Sequence, residues 1–367
     1  MIQKISSLQG ILLVMSSIIP TAILTVPNIV VQFTNQDSWI SIAIASFVGI
    51  GVAFVIGLIC RQNSTMPFVD WLSQRLGTKV GMGIGILLTY YYFNTTLIII
   101  REFVNFLAEN VLTKTPIYVL LIVTMAVVMY AVGSGIEVIA RINMIVFILS
   151  VAFLFITAIL LIKDVHPKFL FPVWDHSFSK IVQGSFIPFS WLSEVSILLL
   201  IAPFLTHSAE AGKVGMWGII FTGAELGLIV VAAVTLFGPR LVSLMAYPTF
   251  NVIGIIQLGS FMERIDILFI SIWICLMYIK ISIFMFGAFH CFIRTCRIRN
   301  EKPFLFSVGL FALLSTYYFW PKSSNFMYFT KYPLAPYLVT FNVLLPLLIW
   351  LCLCVFKPKA MGGGTLP

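Results

Sequence analysis

The chain has 367 residues, of which 60% are hydrophobic and 10% charged, whereas charged residues make up about 25% of soluble domains. With a mean hydropathy of +1.06, this excludes a soluble globular protein and defines an all-α, polytopic protein whose surroundings are a lipid bilayer. The net charge of +9 does not point to nucleic acid, because the basic residues stand singly or in short groups at the ends of apolar segments, as topology signals do.

Ten apolar segments are predicted, at 8–31, 39–60, 81–108, 116–133, 142–162, 185–206, 214–237, 265–290, 303–320 and 336–356. Each approaches the roughly 20 residues that cross a bilayer as a helix. The first is too long for a signal-peptide core and reads as a retained helix. An even number puts both termini on one side. Assigning that side to the cytosol gives it Lys4, Arg61, Arg75, Lys79, Arg141, Lys213 and the tight group from Arg294 to Lys302, which is the stronger share of the basic residues. Cys60, Cys291, Cys296, Cys352 and Cys354 then lie at cytosolic ends and Cys275 inside a span, so no disulfide framework is expected. Residues 1–358 read as a single membrane domain, with 359–367 as a flexible tail.

In the first segment, Pro20 interrupts SSIIPTAILTVP. Pro20, Thr21 and Ala22 offer a place for the helix to unwind and present amide and carbonyl groups to a small ligand; a proline kink is the alternative. Met66–Leu76 has apolar residues at helical spacing and reads as a short amphipathic helix along the cytosolic interface, or else as an ordinary loop. Gly81, Gly83 and Gly85 lack the spacing of a dinucleotide fingerprint and read as small residues for close helix contact. The same span carries Tyr90, Tyr91, Tyr92, Asn94, Thr95 and Thr96 near its centre. Arg101 and Glu102 follow; adjacent on a helix, they point apart, so each needs its own partner or must reach the interface. Gly133–Asn143 is a turn. The loop from Lys163 to Lys180, with its prolines, histidines and Trp174, reads as an ordered cover.

The sixth segment, GSFIPFSWLSEVSILLLIAPFLT at Gly184–Thr206, carries Pro188, Ser190, Ser193 and Glu194 in its interior. A charge at the bilayer centre costs about 2.5 kcal/mol or more. Two interrupted spans at corresponding positions of two halves mark a transporter-like binding site. Glu225 lies near the midpoint of the seventh span and is equally readable as structural or functional. A helix over Asn251–Phe261 is expected to rest on the outer mouth. Lys280 lies near the middle of the eighth span, and Asn342 and Pro346 interrupt the tenth.

Glu194 and Lys280 form the sharpest candidate pair, since each is costly alone and they offset one another if their spans meet. They read as a ligand or proton site; the alternative is a neutral Glu194 bonded to carbonyls of a broken helix, with Lys280 paired elsewhere. Thr95 and Trp191 either line the same cavity or pack. No catalytic cluster, Walker loop or metal motif is present and the four histidines fall on opposite faces, so neither an enzyme nor a cofactor is expected.

GILLVMSSIIPTAILTVP at Gly10–Pro27, Thr115–Ile117, the turn with Arg141, Ser193–Val195 and FMERIDILFISIW at Phe261–Trp273 together resemble the B subunits of nutrient germinant receptors of endospore-forming bacteria. These are a branch of the amino acid-polyamine-organocation transporter superfamily. The resemblance spans residues 8–358. It implies a LeuT-like fold of two inverted five-helix repeats, about 8–162 and 185–356, with helices one and six discontinuous. A small nutrient ligand, such as an amino acid, would be held by Pro20, Thr21, Ala22, Thr95, Trp191, Glu194 and Lys280. It also implies A and C subunits as partners in the spore inner membrane, and leaves a higher-order oligomer open. Lys280 stands where a small polar residue is usual, and glycines are common at 20–22. A proton-coupled amino acid transporter is the alternative function.

Overall fold

The computed structural model describes residues 4–63, 65–256, 265–320 and 323–355. The 359–367 tail and the end of the predicted 251–261 helix lie outside them. The described residues contain nine stretches long and apolar enough to span a membrane. The first, Ser7–Arg61, is divided at Asn35, whose φ of 41° ends one helix before the next begins. This gives the ten crossings expected.

In chain order the helices are α1 (Ser7–Thr34), α2 (Ser38–Arg61), α3 (Phe68–Leu76) and α4 (Thr78–Phe106), followed by α5 (Ile117–Ser134), α6 (Ile136–Leu161), α7 (Phe178–Leu192) and α8 (Leu198–Ile201). Next come α9 (Ala211–Phe237), α10 (Pro239–Val242), α11 (Pro248–Gly254) and α12 (Asp266–Thr295). The last are α13 (Lys302–Phe319), α14 (Ser323–Lys331), α15 (Leu334–Val339) and α16 (Leu345–Val355). A π turn at Leu107–Val111 prolongs α4, and another at Thr340–Leu344 joins α15 to α16.

Helix α1 is the axle of the bundle. It starts with a capping box in which Ser6 and Gln9 satisfy one another's main chain, and it packs against α6, α7, α9, α11 and α12. Ahead of it, Ile5 pairs with Leu205 as an isolated parallel bridge, through Ile5 N to Phe204 O (2.8 Å) and Thr206 N to Ile5 O (2.9 Å). The start of α1 is thereby tied to the end of the sixth span, Phe178–Phe204, which holds α7 and α8 and is called helix six below.

The expected unwinding at Pro20, Thr21 and Ala22 is corrected: α1 runs unbroken from Ser7 to Thr34 with Pro20 and Pro27 inside it. Pro27 has no N–H for the carbonyl of Ile23. The Thr249 hydroxyl, from α11, donates to that oxygen instead. The Pro20 carbonyl also accepts Trp273 Nε1 from α12 at 2.7 Å. The donor from α11 thus replaces the hydrogen bond that Pro27 cannot make, and the Trp273 bond ties α12 to α1 beside Pro20. Helix six does change: α7 gives way to a 3-10 stretch at Ser193–Ile197, then α8, then a 3-10 turn at Ala202–Phe204. The chain tightens its pitch there and stays helical.

The amphipathic segment forms α3, starting at Phe68. It packs on α4 and α12 with Phe68, Val69, Trp71 and Leu72 buried, and Asp70 faces Arg294 across 3.6 Å. Of the three glycines, a side chain at Gly81 would strike Ser73 and one at Gly85 would strike Thr295, whereas Gly83 faces open space. Close contact is therefore the role of the outer two. The α5–α6 turn uses Gly135 at φ 89°, a backbone state that glycine adopts without strain.

The α2–α9 contact depends on small residues more strictly. A Cβ at Gly57 would stand 2.5 Å from the main-chain Cα of Gly212, and Gly215 meets Ala53. Helices in lipid associate by such close packing. Gly57→Val is expected to lower the thermal midpoint of the detergent-purified protein and its yield, while Gly51→Val, on a position facing open space, leaves both unchanged.

The loop before α7 is the ordered cover expected. Asp37, fully buried, accepts hydrogen bonds from Trp174 N (2.7 Å) and His176 N (3.0 Å), with His176 Nδ1 at 3.2 Å. Gln36 Nε2 donates to Pro172 O and Asp175 Oδ2, each at 3.2 Å. The α1–α2 corner thus clasps the loop by its backbone.

Candidate ligand site

Where α1, helix six and α12 meet, Lys280 Nζ donates to Thr21 Oγ1 at 2.7 Å and to Glu194 Oε2 at 2.8 Å. Trp191 Nε1 donates to the same Thr21 oxygen at 3.2 Å. Lys280 is 0% exposed and Glu194 3%. The ammonium also stands 5.6 Å from the centroid of the Phe284 ring, within cation–π range. An ammonium has three donors, and two are spent on these oxygens. Both lone pairs of Thr21 Oγ1 are occupied, so its proton remains to donate. Burying the pair is tolerable because charge and hydrogen bonds are satisfied together; removing one partner leaves an uncompensated group in an apolar setting.

Local structure explains the meeting. Glu194 is the second residue of the 3-10 stretch that follows Pro188. Thr21 directly follows the proline whose carbonyl is held by Trp273. Trp273 precedes Lys280 by two helical turns on the same face of α12, so one face of α12 grips two successive residues of α1. Glu102 interacts electrostatically with both Lys280 and Glu194, which places a second acid in the field of the pair.

A second polar layer adjoins the first. Thr95 Oγ1 lies 3.2 Å from Tyr337 Oη, which donates to Tyr91 O at 3.1 Å. Ser196 Oγ donates to Asn342 Oδ1. Tyr91 and Tyr337 lie within electrostatic reach of Glu194, so this layer borders the ion pair.

The structure therefore unites Thr21, Trp191, Glu194 and Lys280 in one hydrogen-bonded cluster. Pro20 joins through its carbonyl. Thr95 belongs to the adjoining layer, and Ala22 is buried within continuous helix. Trp273, Glu102, Ser196 and Tyr337 are neighbours that sequence reading did not assign to the site. The helical spacing from Lys280 was the available signal for Trp273; nothing local marks Tyr337.

Glu225 is not among the residues hydrogen-bonded in the cluster. It lines a largely apolar cavity of about 300 Å³, whose wall includes Pro20, Trp273 and Thr249. No group of three or more His, Cys, Asp or Glu among the described residues could hold a metal ion.

Ten membrane-length helices among the described residues, packed around a proline-bearing first helix with a buried polar cluster where α1, helix six and α12 meet, define a polytopic membrane protein. The fold is shared with Mhp1, a nucleobase-cation-symport-1 family transporter solved in a closed conformation with bromovinylhydantoin bound. The TM-score is 0.60 at 12% identity, covering 94% of this chain and 78% of that one. The chain belongs to the spore germination protein family, whose model matches residues 4–327. Among its relatives are spore germination protein KB of Bacillus subtilis, 23% identical over 292 residues and 77% of each chain, and the putative spore germination protein YfkT of the same organism, 23% identical over 98% of each.

Proposed function

We propose that the chain is the B-type subunit of a spore nutrient germinant receptor, which binds a small zwitterionic nutrient, an amino acid, between α1, helix six and α12. The observation that carries this is the buried Thr21–Lys280–Glu194 cluster, in a chain of the spore germination family. Its charges match a zwitterion: the carboxylate pairs with Lys280 and the Thr21 proton, and the ammonium with Glu194. Without ligand the two protein charges satisfy each other, so binding exchanges one closed pair for two. The exchange parts α12 from helix six, and the Ile5–Leu205 bridge couples that motion to the start of α1. Ligand shifts the resting state only by its differential affinity for the two arrangements. The signal passes to A and C subunits in the spore inner membrane, with both termini in the cytoplasm.

A panel of amino acids, sugars and nucleosides tested for thermal stabilisation of the purified protein names the ligand, since binding to the folded state raises apparent stability. A zwitterion is expected to stabilise the wild type and not Glu194→Gln. Stabilisation by an uncharged nutrient alone, or equally in Glu194→Gln, would overturn the site. The second reading, a proton-coupled amino acid transporter, is favoured by the transporter fold; uptake of labelled substrate into liposomes by the isolated chain would establish it.

A further inference from the structure

Arg101 is 4% exposed and makes no hydrogen bond or ion pair with the described residues; its Nε is buried without an acceptor. Glu109 lies close enough to interact electrostatically but forms no ion pair with it. A guanidinium stays charged at any physiological pH, so unlike a carboxyl it cannot shed its charge to escape the bilayer. The other buried charged side chains among the described residues, Asp37, Glu194 and Lys280, have partners.

Arg101 lines a pocket of about 380 Å³ together with Ile117, Tyr118, Tyr317, Tyr318 and Trp320. Trp320 Nε1 is likewise buried without a partner. Among the described residues, the side chains of this wall therefore offer a guanidinium fork, an indole N–H and three phenol hydroxyls, and no carboxylate. Its place in the fold is equally informative. Ile117 and Tyr118 begin α5, Tyr317 and Tyr318 lie in the last turn of α13, and Trp320 follows it directly. Where spans begin and end together lies the membrane–water boundary, the level at which Trp and Tyr gather. Tyr118, Tyr317 and Tyr318 are exposed there.

We propose that this pocket, outside the central cluster, is an anion site for a phosphate group, with Arg101 as bidentate ligand and Trp320 as second donor, and that a phospholipid headgroup is its occupant in the membrane. A planar guanidinium matches two phosphate oxygens at once, and the aromatic rim lies where acyl chains meet headgroups.

The test is thermal stabilisation of the full-length purified protein, titrated with dioleoylphosphatidylglycerol, dioleoylphosphatidylcholine, dioleoylglycerol and inorganic phosphate, alongside native mass spectrometry of retained lipid. Both phospholipids are expected to stabilise and dioleoylglycerol not, with half-maximal stabilisation needing about tenfold or more lipid in Arg101→Gln, the loss of a charge-assisted hydrogen bond. Trp320→Phe, which keeps the ring and removes the N–H, is expected to weaken binding less. It serves as the test if Arg101→Gln does not fold. Stabilisation by inorganic phosphate alone supports the anion site and assigns it to a free anion instead of a lipid. Equal stabilisation by dioleoylglycerol, or unchanged lipid affinity and retention in both variants, would overturn the proposal.

Discussion

Glu194→Gln and Lys280→Met are each expected to abolish the nutrient response of spores while the protein still inserts, and to lower its stability by about 3 kcal/mol. That is the lower end of the range for breaking a buried pair, because the partner left behind can lose its charge by gaining or releasing a proton. The double variant is expected to regain most of the stability, since no unpaired charge remains, but none of the response. A purely structural pair predicts that stability and response recover together. Thermal midpoints of the three purified variants, set beside germination assays at matched protein levels, separate the two. A normal response in both single variants would remove Glu194 and Lys280 from the site.

Asp37→Ala is expected to have the second large effect, at the corner between α1 and α2. The buried carboxylate receives two main-chain N–H groups, of Trp174 and His176, and a buried donor left without an acceptor costs about 1–3 kcal/mol. Losing both releases the loop from its clasp. Limited proteolysis within residues 163–177 is expected to quicken in Asp37→Ala and much less in Asp37→Asn, whose amide oxygen still accepts one bond. Unchanged cleavage in Asp37→Ala would show that the Gln36 contacts alone hold the cover.

These two predictions differ in how far the sequence alone foresaw them. Glu194 and Lys280 declare themselves because a charge in an apolar span is costly wherever the helix goes, and two opposite charges are the cheapest way to offset that cost. Asp37 gives no such sign. It stands in a polar corner, NQDS, indistinguishable from an ordinary turn, and its importance comes from backbone groups well over a hundred residues away. Thr249 and Trp273 are alike in this. Each donates to a carbonyl of α1 from a helix far along the chain, and the unwinding expected at Pro20, Thr21 and Ala22 does not occur in the folded chain, which keeps a helix there.

What the sequence by itself determined is the number of spans, the short amphipathic helix α3 and the identity of the paired charges. Apolar length and charge burial act through composition, and need no knowledge of neighbours. The tertiary structure decided that Thr21 is the hydroxyl bridging Lys280 and Trp191, that α1 stays continuous through its prolines, and that Thr95 lies in an adjoining layer. Those outcomes turn on which donor reaches which acceptor within about 3 Å, and only the packing of α1, helix six, α11 and α12 sets that distance.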